Sequence, residues 1–282
     1  MPLVFVPTPL GNLRDVTLRA LDVLRDADLI VAEDTRVALK LLRALRLDVR
    51  ELWSYREENA ARATPAILEH ARNALVAVTT DAGMPGISDP GSELVAAARA
   101  AGIAVDVLPG PSAALGVALL SGFPLHRFSF EGFPPRARGA RRACFERALR
   151  DATTTIWYES PRRIRAALAD LAQVAPSAAV FLVREYTKLH EEQLAGTAQE
   201  VLAQLSEPVR GEVAFAIGPQ RTQRVAAPRE TTSEAIDALL ESGRRVGDVA
   251  KALAARGFGD RRVLYSHAAK RKARRKSPIK DR

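Results

Sequence analysis

Short apolar runs alternate along this chain with longer segments in which apolar residues recur every three or four positions. The runs predict strands over 3–6, 29–32, 75–79 and 105–108, and the periodic segments predict helices over 17–25, 36–46, 65–72 and 93–101. Such alternation argues for an α/β fold, a largely parallel sheet with helices packed on it. A second block repeats the style, with strands over 154–159, 178–184 and 212–217 and helices over 141–149, 162–174 and 198–205. Pro and Gly punctuate the chain at 121–124 and 132–135, which sets an expected boundary between a first domain over 1–121 and a second over 122–219.

Beyond Gly218-Pro219 the pattern changes. Residues 220–229 have little apolar periodicity, and Thr231-Thr232-Ser233 then caps the run Ala235, Ile236, Leu239, Leu240. A second amphipathic run, Val246, Val249, Ala250, Leu253, stops at Gly257, and Arg261-Arg262 opens a third. Residues 220–268 are thus expected to form a small helical unit, compatible with a helix-turn-helix-like module presenting positive charge. The remaining 269–282, with its charge run over 270–276, reads as a basic tail, disordered until it meets phosphate.

Composition adds bounds. At 282 residues and 47% apolar content the chain can bury sizeable cores, which excludes disordered and collagen-like classes. No basic segment followed by a long apolar stretch opens it, and no apolar run reaches about 18 residues, so a cytoplasmic protein without membrane association is expected. Cys144 is the only cysteine, which leaves no internal disulfide; it is expected to be an ordinary helix residue. His70, His126, His190 and His267 lack ligand spacing, so no metal site is expected. The net charge of +9 is concentrated: 226–282 carries 15 Lys/Arg against 7 Asp/Glu, whereas 1–225 carries 27 against 26. A nearly neutral body with a basic end suggests a polyanionic partner, with a merely solubilising tail as the alternative.

Gly, Pro and small polar residues concentrate at the carboxyl ends of predicted strands, where open α/β sheets place ligands. These loops are Thr8-Pro9-Leu10-Gly11-Asn12, the stretch Asp81-Ala82-Gly83-Met84-Pro85-Gly86-Ile87-Ser88-Asp89-Pro90-Gly91, Pro109-Gly110-Pro111-Ser112-Ala113, Glu159-Ser160-Pro161-Arg162-Arg163 and Arg184-Glu185-Tyr186-Thr187-Lys188. Such loops can hold a small molecule largely by main chain. Neither the dinucleotide fingerprint nor a P-loop is present.

In order and spacing these motifs, with Ala32-Glu33-Asp34-Thr35-Arg36, resemble the ribosomal RNA small-subunit 2′-O-methyltransferase I family of the tetrapyrrole methylase superfamily, from about Leu3 to Gly218. Met84, Thr80, Arg162 and Tyr186 depart from the residues usual in that family. The resemblance implies a two-domain tetrapyrrole-methylase-like fold (a class III methyltransferase), usually a homodimer, with S-adenosyl-L-methionine between the domains. It implies a cytidine ribose in the decoding region of 16S rRNA, on the small ribosomal subunit, as substrate. Carried over motif by motif, the cofactor positions are Leu10, Gly11, Asp81, Ala82, Gly83, Ile87, Ser112 and Ala113, with Tyr158, Tyr186 and Glu212 from the second domain.

A ribose hydroxyl becomes a useful nucleophile only as its proton leaves, so a base is wanted. Asp34 and Glu33 are the base candidates; for each the alternative is a cap of the helix beginning near Arg36. RNA contacts are expected from Arg36, Arg136, Arg138, Arg141, Arg142, Arg184 and Lys188, with a solvated helix face as the alternative for the 136–142 segment. Two other functions remain open: a methylase of the same superfamily acting on a tetrapyrrole or a protein, and a non-catalytic ribosome-binding protein on a methylase scaffold.

Overall fold

In the computed structural model, which describes residues 2–88, 91–220 and 232–276, the chain opens with β1 (Leu3–Val6), α1 (Leu18–Asp26), β2 (Leu29–Ala32), α2 (Thr35–Ala44), β3 (Leu52–Ser54), α3 (Ala60–Ala71), β4 (Val76–Thr79), α4 (Ser92–Ala100) and β5 (Val105–Val107). The five strands form one sheet in the order β3-β2-β4-β1-β5, and every pairing is parallel. Successive side chains point to opposite faces. Leu3, Phe5, Val31 and Val78 therefore meet Ile67 of α3 and Leu94 of α4, while Val4, Val6, Ile30 and Ala77 meet Leu24 of α1 and Leu42 of α2. Because both faces are covered, β1, β2 and β4 are buried at every position, which is why they read as unbroken apolar runs. Each large side chain so withdrawn contributes about 1.5–3 kcal/mol before conformational entropy is counted. The short, half-buried edge strand β3 was not anticipated, since three residues carry no pattern.

The second block comprises α5 (Ala113–Leu120), β6 (Phe128–Gly132), α6 (Arg138–Arg150), β7 (Thr154–Glu159), α7 (Ile164–Val174), β8 (Ala179–Arg184), β9 (Glu192–Thr197), α8 (Ala198–Gln204) and β10 (Val213–Ile217). Its sheet, in the order β6-β7-β10-β8-β9, is mixed. Only β6 and β7 run parallel; β10 is antiparallel to both β7 and β8, and β8 is antiparallel to β9. The second block therefore does not repeat the parallel topology of the first. The connection between β8 and β9 is too short for a crossover, which needs a dozen or more residues, so the chain returns as a hairpin.

One face of this sheet packs Trp157, Leu182 and Phe215 on Phe145 of α6, Leu168 of α7 and Val201 of α8. Trp157 is fully buried with its Nε1 satisfied by Thr155 Oγ1 at 2.8 Å, and its ring lies between Phe145 and Phe215. The opposite face packs Ile156, Phe181, Ala214 and Ala216 on Ala114, Val117 and Ala118 of α5. Helix α5 precedes residue 121 yet completes the second sheet.

A separate unit contains α9 (Thr232–Glu241), α10 (Val246–Ala255) and α11 (Arg261–Lys276) around Ile236, Val249, Leu253 and Leu264. Here an expectation is corrected: the charge run over 270–276 is helical. Leu264 and Ala268 anchor α11 in the core, straight-chain basic residues propagate a helix readily, and Arg271 is paired with Asp237 of α9. Asp89 and Pro90, residues 221–231 with Thr231 of the expected cap, and residues 277–282 of the expected tail lie outside the described residues. No helix among the described residues is long and apolar enough to cross a membrane.

Candidate active site

Strands β1 and β4 are adjacent and parallel, so their carboxyl ends emerge side by side. The loops that follow are stitched together. The Thr8 and Gly83 main chains exchange hydrogen bonds of 2.9 and 3.0 Å, and Thr8 Oγ1 donates to the Thr80 carbonyl at 3.2 Å. Gly83 sits at φ +83°, where a side chain is strained, and a Cβ on it would fall 2.9 Å from Leu10 Cδ2 and press on that cavity-wall residue. From the second block, the Tyr158 hydroxyl of β7 accepts the Ala114 N–H at 3.1 Å, tying β7 to the start of α5, while Phe130 and Phe133 pack edge-on against its ring.

These elements enclose a cavity of about 540 Å³. Nine of the expected cofactor positions line it: Leu10, Ala82, Gly83, Ile87, Ser112, Ala113, Tyr158, Tyr186 and Glu212. Gly11 and Asp81 do not. Gly11, exposed, lies against the Lys188 stem, and Asp81 Oδ1 accepts the Asp34 N–H at 3.1 Å beside the cavity. Sequence reasoning missed Met84, Ser88, Ser160 and Pro161 as wall residues, although all lie in the loops that composition singles out. It also missed Phe133 and the strand residues Val183, Val213 and Ala214, for which nothing in an apolar run distinguishes a cavity wall from a packed core.

The two candidate bases separate. Asp34 caps α2, accepting the Arg36 N–H at 2.8 Å, and its carboxylate is gripped by the Arg36 guanidinium at 3.0 and 2.6 Å, with Arg56 at 3.4 Å. The side-chain and main-chain hydrogen bonds from Arg36 hold the Asp34 carboxyl far below the usual carboxylate range. So committed, Asp34 takes the capping role that the sequence left open as its alternative. Glu33 is on the cavity wall, where its Oε2 accepts the Thr80 hydroxyl at 3.3 Å. Its main-chain carbonyl is held by Arg56 Nε at 2.8 Å and Ser54 Oγ at 3.3 Å. At Asp81, desolvation and the Asp34 charge raise the carboxyl pKa against the opposing Asp34 N–H.

The expected RNA cations also divide. Arg141 is buried, with two bonds of 2.9 and 2.5 Å to Asp170 Oδ2 and another of 2.9 Å to the Arg136 carbonyl. It is turned inward to close the loop before α6, away from any phosphate. Asp170 collects Arg138 and Arg142 as well; burial alone would raise its pKa, but the bonds from Arg142, Arg141 and Arg138 prevail and lower it. Arg184 is tied to Glu192 at 2.9 Å and to the Arg210 carbonyl, and Lys188 to Glu185 and Glu212. Arg136, Arg138 and Arg36 remain exposed, the last with 83% of its side chain open despite the Asp34 pair. Cys144 is buried in α6, and that burial pushes its thiol up.

Residues 2–202 match the family described as Tetrapyrrole (Corrin/Porphyrin) Methylases. The chain is 42% identical over 202 residues to Ribosomal RNA small subunit methyltransferase I of Thermotoga maritima, covering 71% of this chain and 90% of that protein. It is 39% identical over 266 residues to the protein of the same name from Mycobacterium tuberculosis, covering 92% and 91%. Among solved structures, uroporphyrin III C-methyl transferase from Thermus thermophilus shares the fold, with a TM-score of 0.54 at 22% identity over 77% of this chain and 97% of that one. The same enzyme is also known complexed with S-adenyl homocysteine. With its cavity walled by the motif loops, and with relatives of this kind along nearly its whole length, the chain belongs to the tetrapyrrole methylase family and, within it, to the ribosomal RNA small subunit methyltransferase I group.

Proposed function

We propose that this chain is an S-adenosyl-L-methionine-dependent methyltransferase that methylates the 2′-oxygen of a cytidine ribose in the decoding region of 16S rRNA, in the cytoplasm. The observation that carries the reading is the cavity itself: successive motif loops form its wall, and the Glu33 carboxylate is part of that wall. Its volume of about 540 Å³ lies within the ~300–1,000 Å³ of small-molecule sites, and its lining suits the cofactor. Leu10, Ala82, Gly83, Ile87 and Ala113 offer apolar and main-chain surface, with Ser112, Tyr158 and Glu212 as polar anchors. When bound, the cofactor supplies an electrophilic methyl group on a positively charged sulfur.

The remaining work falls to the chain. Glu33, oriented by Thr80, accepts the proton of the incoming ribose hydroxyl. The apolar wall excludes water and so strengthens that interaction. Exposed Arg36, Arg136 and Arg138 give phosphate contacts that position RNA without reading its bases. Relatives at 36–42% identity carry the ribosomal RNA name, whereas likeness to the tetrapyrrole enzyme is confined to fold, which favours RNA as the acceptor. Mass spectrometry of 16S rRNA from cells lacking the protein should show one cytidine without its 2′-O-methyl group, restored by this chain. Identical spectra with and without it would refute the function.

The active form is proposed to be a homodimer. Helix α5 turns Leu115 and Leu119 outward, one turn apart and 59% and 74% exposed, an apolar face suited to a second copy. Light scattering should report a dimer for the chain and a monomer for Leu115→Glu/Leu119→Glu; a monomeric parent would overturn the pairing.

A further inference from the structure

The segment between β8 and β9 is strained and tightly held. Glu185 and Thr187 lie at φ +53° and +67°, where only glycine is at ease, and Thr187 Oγ1 is buried without a hydrogen-bond partner. Three of its side chains enter spaces that only a glycine leaves open. A Cβ on Gly211 would collide with the Glu185 carboxylate, one on Gly116 of α5 would fall 2.5 Å from the Tyr186 ring, and one on Gly11 would run into Lys188 Cγ. The three glycines come from the turn before β10, from α5 and from the loop after β1, so the segment joins both sheets.

Its end point is Lys188. The stem lies on Gly11, and Nζ donates to Glu185 Oε1 at 2.9 Å and to Glu212 Oε2 at 3.1 Å. Glu185 Oε1 also accepts the Glu212 N–H at 2.9 Å, and the Glu185 N–H donates to the Glu212 carbonyl at 2.9 Å. Partial burial disfavours the ammonium, yet the bonds to Glu185 and Glu212 hold its pKa above the ordinary value, so the lysine stays charged. Three cavity-lining residues hang on this arrangement: Leu10 beside Gly11, Tyr186 in the segment, and Glu212 in the ion pair.

We propose that Lys188 is a positioning residue for the cofactor cavity: lying across Gly11 and gripping Glu185 and Glu212, it holds Leu10, Tyr186 and Glu212 in mutual register. The test rests on the methyltransferase reading for its ligand and uses the full chain. S-adenosylmethionine affinity, steady-state methyl transfer to small subunits and melting temperature are measured for Lys188→Ala, Lys188→Arg, Gly11→Ala and the double variant Gly11→Ala/Lys188→Ala. Lys188→Ala should weaken cofactor binding about tenfold while kcat stays within about threefold, and Lys188→Arg should recover most of the loss. Gly11→Ala alone should cost about tenfold or more, because its methyl displaces the lysine stem. The double variant should be no worse than Lys188→Ala, since the clash has gone with the stem.

Multiplying penalties for Gly11→Ala and Lys188→Ala, or a fall in kcat at unchanged cofactor affinity, would overturn the proposal. The same non-additivity is expected in melting temperature without cofactor. If the parent chain failed to bind S-adenosylmethionine, the functional reading would fall while the melting data still decided the role of Lys188.

Discussion

Around the cavity, the first sheet contributes only residues beyond its strand ends, where the second also contributes residues within its strands. Strands β1 and β4 are buried on both faces, so only the loops beyond their carboxyl ends reach the cavity, as Leu10 and the 82–88 stretch. In the second block the antiparallel strands β7, β8 and β10 themselves form wall, through Tyr158, Val183, Val213 and Ala214. The cationic 136–142 segment adds a further contrast, since Arg141, in the first turn of α6, is committed to the fold. Changes in the loops of the first half and in the strands and ion pairs of the second should therefore fail in different ways.

The sharpest break is Gly83→Trp. A side chain at φ +83° pressed on Leu10 should abolish cofactor binding, a loss of at least about 100-fold by calorimetry, with the fold retained in circular dichroism. Next, Glu33→Gln should lower kcat by about 10²–10⁴-fold with cofactor affinity nearly unchanged. Its neighbour tests the separation of roles: Asp34→Asn should keep most activity and lower the melting temperature, and an equal collapse of kcat would show that both carboxylates handle the proton.

In the second half, Asp170→Asn leaves the buried Arg141 guanidinium without its counter-charge and should destabilise the chain by about 3 kcal/mol in urea titrations. The sign with pH follows from the lowered pKa of Asp170. Its contribution is fully present above the unfolded value near 3.8 and is lost as pH falls through the lower folded value, so the variant should show a flatter acid limb. The smallest expected effect is on RNA: Arg261→Ala/Arg262→Ala should weaken binding only a few-fold and reduce its salt slope by about 2, with cofactor binding untouched.

Most of the first sheet is legible in the apolar pattern. Doubly covered parallel strands must be apolar throughout, and β1 and β2 fall where the pattern puts them. The sequence also located the loops that wall the cavity, because ligand-facing main chain needs Gly, Pro and small residues, and its apolar periodicity beyond Gly218 falls on α9 and α10. The remainder is set by how the chain packs. Strand direction in the second sheet depends on how the chain returns, which an apolar run does not encode. Which of two adjacent carboxylates faces the cavity depends on which one the α2 amides and Arg36 capture. Whether an arginine serves RNA or the core depends on a buried aspartate 29 positions away. Side-chain charge is local, but its partner is supplied by the fold.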